Sequence, residues 1–160
     1  MYRLFYCLFP LLFLSCVAPA DYNDALIREQ QKVLASIKEV NASVKQSDVA
    51  TTILLIEEAQ IQVSKSIQKI QQKDDFRGEI DLRNRMVELL QFYQYVLNEY
   101  YPLLVDIQKD AALNVSEKET LTTSIYALIA EQEQEKTKPY AEAQKQFAEK
   151  YYISIISYQK

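Results

Sequence analysis

No histidine and no tryptophan occur among the 160 residues, glycine occurs once, cysteine twice and proline four times. The single glycine argues against sandwiches, barrels and dinucleotide-binding folds, whose hairpins and phosphate loops need several positions at positive φ. Without histidine, the commonest general base, the commonest zinc ligand and the haem axial ligand are all missing. The di-iron bundle built on Glu-x-x-His pairs is excluded in its ordinary form for the same reason. What is present is 49% hydrophobic and 25% charged residues, in a chain long enough for one domain with a real core and no staples.

Residues 1–20 carry one charge, Arg3, followed by an apolar run of about eleven residues from Leu4 to Leu14. That run is short of the roughly 20 residues a membrane span needs, and small residues follow it. The layout is that of a secretory signal peptide, so residues 1–20 are assigned to a leader and residues 21–160 to a single helical domain. Two processing sites compete. Phe13-Leu14-Ser15-Cys16 resembles the lipobox of bacterial lipoproteins, with Phe13 where leucine is usual, and makes Cys16 the expected lipidation site. Ala18-Pro19-Ala20 instead satisfies the A-x-A rule for soluble secretion, with cleavage before Asp21. Either way the mature chain holds no intramolecular disulfide, because Cys7 is lost and Cys16 is acylated or lost.

Beyond Asp21 the chain is rich in Gln, Glu, Lys, Ala, Leu and Ile, which mostly favour helix. Leu26, Val33, Ile37, Val40 and Val44 predict a first helix near 22–46. Ser47 and Asp48 offer cap oxygens to a second helix near 48–72, whose stripe includes Ile56, Ala59, Val63, Ile67 and Ile70. Residues 73–78 hold the only glycine and read as a loop. A third helix near 79–112 carries a heptad pattern: Leu82, Met86, Leu89, Tyr93, Val96, Tyr100, Leu103 and Ile107. Pro102 inside it predicts a kink without termination. Ser116 and Glu119 form a predicted capping box for a fourth helix with Leu121, Ile125, Leu128 and Ile129 in its core. An unbroken helix to residue 155 would be about 58 Å long against about 38 Å for the first. A break or bend is therefore expected around Lys136–Pro139, before a last segment carrying Ala143, Phe147 and Tyr151. Four amphipathic helices with short loops predict an all-α, antiparallel up-down-up-down four-helix bundle.

Catalytic chemistry finds no purchase. Glu57, Glu58, Glu99, Asp106, Glu131 and Glu135 read as solvated helical faces, and no serine has an activating base nearby. Lys65, Lys69, Lys73 and Arg77 recur every four residues, but the mature chain holds 17 basic against 22 acidic residues, so nucleic-acid binding is not expected. No catalytic residue, metal, cofactor or small-molecule substrate is predicted. Tyrosine is the unusual signal, with 12 Tyr beside 6 Phe. Phe92, Tyr95 and Tyr101 project from the third helix away from its main stripe. They read either as packing between two neighbours or as an exposed patch for a protein partner.

Asp21-Tyr22-Asn23-Asp24 with Gln30-Gln31-Lys32-Val33, and Ala143-Gln144 with Phe147-Ala148-Glu149-Lys150-Tyr151, resemble the ErpY-like small bacterial surface lipoproteins. The resemblance implies a largely helical, envelope-exposed protein with an interaction role and assigns no functional residue. The expectation is thus a non-catalytic lipoprotein of the bacterial cell envelope, held at the outer membrane or cell surface by a lipid anchor and binding an extracellular or envelope protein. The alternative is a soluble periplasmic or secreted bundle, chaperone-like or oligomerising, cleaved after Ala20.

Overall fold

In the computed structural model the described residues, 17–154, form α1 (Pro19–Gln46), α2 (Val49–Gln71), α3 (Asp81–Lys109) and α4 (Val115–Tyr151). Most of the expected leader, Cys16 included, and residues 155–160 lie outside them. Each helix begins where local chemistry permits. Pro19 sits in the first turn of α1, where its missing amide costs nothing. The Asp48 carboxylate accepts from the Thr51 amide at the start of α2. At α4 the capping box is Asn114 with Glu117, not Ser116 with Glu119. Two overlapping x-x-Glu patterns compete there, and the earlier one captures two free amides and leaves Ser116 inside the first turn.

Cross-helix bonds give the directions. Glu29 meets Ser66 while Ser43 meets Thr52, so α1 and α2 run oppositely. Gln60 reaches Asn98 and Gln94 reaches Ser64, and Tyr100 meets Gln132 while Gln108 meets Lys118. These pairs reverse α2 against α3 and α3 against α4. Tyr101 to Asn41 and Gln108 to Val44 set α3 alongside α1 in the same direction. The bundle is all-α with consecutive helices packed in order, and α1 and α3 touch across the diagonal.

Leu26, Met86, Leu89, Leu90, Leu97 and Leu104 fill the centre with Val33, Val40, Val63 and Ile70. The buried stripe of α3 departs from the expected heptad after Val96. Leu97, Tyr101, Leu104 and Val105 are buried, while Leu103 is largely exposed. A straight helix repeats every 3.6 residues and drifts about 20° per heptad, so the core face moves off a seven-residue pattern within two repeats. α3 passes through Pro102 without ending.

α4 passes through Pro139 without the expected break. At 37 residues it spans about 56 Å against about 42 Å for the 28 residues of α1, yet the excess is covered. The turn between α2 and α3 folds over it. Phe76 and Glu79 exchange both backbone bonds across Arg77 and Gly78, at φ 56° and 85°. This two-residue turn holds Phe76 against Phe147 at 5.4 Å and Tyr151 at 4.9 Å, while Tyr22 of α1 lies 5.8 Å from Phe147. Length arithmetic on α4 alone missed this cover.

Candidate functional site

The aromatic residues of α3 separate by depth. Phe92, 6% exposed, and Tyr101, 2% exposed, are core side chains, whereas Tyr95 is 49% exposed. A surface patch of Phe92, Tyr95 and Tyr101 therefore does not form. The reason is the 3.6-residue drift, which carries Tyr101 under α1, where its hydroxyl donates to Asn41 Oδ1 at 2.7 Å. Phe92 packs 5.7 Å from Tyr93. Tyr95 instead stands edge-on to Tyr100 at 5.6 Å, and a hydrogen bond with that neighbour pushes its phenol up from the ordinary value.

The more concave arrangement lies between α1 and the first half of α4. Every buried residue of α4 falls in its second half: Tyr140, Ala143, Phe147 and Ala148. In the first half Ile125, Tyr126 and Ile129 are only partly covered, and Leu121 and Leu128 each remain 41% exposed. This arm rests on α3 through polar links. Tyr93 donates to Glu133 at 2.6 Å, and Gln132 donates to the Tyr100 hydroxyl at 2.9 Å. Facing it, α1 presents Lys38, Asn41 and Lys45 among Leu34, Ile37 and Val44, a mixed surface that does not close an apolar seam.

The result is a groove with two adjoining hollows, of about 360 Å³ over Tyr93 and Val96 and about 490 Å³ near Gln108 and Thr122. Tyr126 lines both. Its hydroxyl and Gln108 Oε1 are buried and make no hydrogen bond within the protein. Gln108 cannot turn to satisfy this oxygen without giving up the bond from its amide nitrogen to the Val44 carbonyl. Burial pushes the Tyr126 phenol up to about 12. Burial, reinforced by the Glu133 carboxylate, raises Tyr93 further, and burial likewise raises Tyr101. These phenols stay neutral at ordinary pH. A neutral phenol can both donate and accept a hydrogen bond.

A second polar cluster has no counterpart among the sequence-based expectations. Glu29 is buried, with its carboxylate 2.6 Å from Lys69 Nζ, 2.9 Å from Lys32 Nζ and 3.2 Å from the Ser66 hydroxyl. Burial alone would raise this acid, but the two lysines outweigh it and hold it below the usual range. The signal is hidden because Glu29 follows Leu26 by three residues and so shares its core-facing side, a position the polar letter disguises. The regular basic run does not form one face: α2 ends at Gln71, Lys69 is committed to Glu29, and Lys73 and Arg77 lie over the Tyr22 and Phe76 rings. Glu57, Glu58, Glu99, Asp106, Glu131 and Glu135 are all exposed. Among the described residues no group of three or more acidic or cysteine side chains is placed to hold a metal ion, and no helix is long and apolar enough to cross a membrane.

No family model matches the chain, and no curated protein or solved structure matches it.

Proposed function

We propose that the chain is a non-catalytic lipoprotein of the bacterial cell envelope, tethered through Cys16, whose helical bundle binds another envelope or extracellular protein along the groove between α1 and α4. The observation that carries the tether is the position of Cys16: it ends a leader-like apolar run and stands three residues before the helix begins at Pro19. Processing at Cys16 leaves α1 whole. Cleavage after Ala20 would remove Pro19 and the Ala18 carbonyl that accepts from the Tyr22 amide at 3.1 Å, fraying the turn that carries a core tyrosine. The likeness to ErpY-like lipoproteins agrees with this reading.

The binding part rests on the groove. It joins half-covered apolar side chains to unpartnered polar atoms, the mixture expected where a partner supplies the missing contacts. Pro139 removes the amide that would bond the Glu135 carbonyl, and on this reading it marks a bend between the groove-lining arm of α4 and its packed arm. Metabolic labelling with a fatty acid tests the tether. Wild type should incorporate label and Cys16→Ala should not; absence of label in both favours the soluble secreted form cleaved after Ala20.

A further inference from the structure

Both ends of the described chain leave the bundle at one pole. Tyr22 in the first turn of α1 packs on Phe147 near the end of α4, Phe147 packs on Tyr151, and Phe76 touches all three. Three exposed apolar or aromatic side chains stand at this pole beside the ring cluster. Tyr152 is 97% exposed, Val17 50% and Ile80 49%. Tyr152 holds the left-handed position that ends α4, at φ 54°, where its side chain stands in solvent. Pro19 follows Cys16 by three positions, a reach of at most about 11 Å.

We infer that this pole sits on the bilayer surface, with Tyr152, Ile80 and Val17 in the headgroup layer and the bundle standing away from the membrane. The inference rests on the proposed tether at Cys16. A link this short keeps the pole beside the acyl chains, and tyrosine is the side chain that joins an apolar ring to a wet hydroxyl at that depth. Charge does not set the contact. Lys73, Arg77 and Lys150 are offset by the exposed Asp74 and Asp75 and by Glu79, which pairs with Lys150. The groove then lies along the flank, its Gln108 end far from the lipid and open to a partner in water.

The chain has no tryptophan, so one introduced indole reports its own surroundings. Full-length Tyr152→Trp and Leu121→Trp proteins, isolated from membranes and reconstituted into phosphatidylcholine vesicles with brominated acyl chains, test the placement. Loss of indole emission in the Tyr152→Trp protein, with emission of the Leu121→Trp protein unchanged, is expected. An unquenched indole at position 152, or equal quenching in the two proteins, overturns the placement. The acyl mass of the same samples separates the two claims. An acylated chain with an unquenched indole at position 152 leaves the tether standing and removes the pole contact. An unacylated chain removes the tether; quenching confined to position 152 then upholds the pole contact alone, and its absence overturns both.

Discussion

At the scale of single residues, Glu29 shows how a buried charge is tolerated when two cations and a hydroxyl reach it. Its acid is held below the ordinary value, so its stabilising effect is present above the usual carboxylate range and is lost as pH falls through the lowered value. Glu29→Gln should cost about 1–2 kcal/mol at neutral pH, because both lysines are half-exposed and regain water when the charge is removed. Urea unfolding across acidic pH should show the gap between wild type and variant closing. A gap independent of pH would mean that the carboxylate's charge is not what matters. Gly78 is the one glycine and stands at φ 85° with open space where a Cβ would lie. Gly78→Ala should therefore cost only the backbone term, about 1 kcal/mol, read as a shift in urea midpoint. A much larger loss would mean that the turn clamps the aromatic cluster more tightly than its geometry indicates.

At the scale of elements, the two halves of α4 are packed differently. Its second half is anchored by Phe147, which touches Tyr22, Phe76 and Tyr151, so Phe147→Ala should cost about 3–5 kcal/mol. Its first half contributes little to the core, and Leu121→Ala should stay within about 1 kcal/mol. Similar losses at the two positions would contradict this division. At the start of the helix, Asn114→Ala should cost about 1 kcal/mol and Ser116→Ala almost nothing, since only Asn114 caps. The sequence alone placed α1 and α2 to within a few residues, through unbroken apolar stripes and the Asp48 cap. It misjudged α3 beyond Val96, where a heptad template and a real helical period diverge. It misjudged Leu121 and Leu128 because an apolar stripe reports what a helix can bury, not whether a neighbour lies there. The Tyr126 groove was illegible for the same reason. It arises from three helices of different reach, a relation that no local pattern encodes.

At the scale of the whole molecule, tyrosine takes the place that tryptophan and histidine occupy in other cores. Burial raises Tyr22, Tyr93, Tyr101, Tyr126 and Tyr140 above their ordinary value of 10.0. A phenol raised on folding stabilises the folded state fully below its unfolded value and ceases to do so as pH climbs through its folded value. Stability should thus fall steeply from the ordinary tyrosine range upward, with Tyr126 titrating near 12. Thermal midpoints that stay level through that range would show the phenols reaching water in the folded state. On the proposed tether at Cys16, the same bundle would stand on the membrane as a post with its groove on the flank. The mass of the mature N-terminal peptide from the membrane fraction tests this most directly. The account predicts a chain that begins at Cys16 and carries acyl groups, and a chain that begins at Asp21 without them would contradict it.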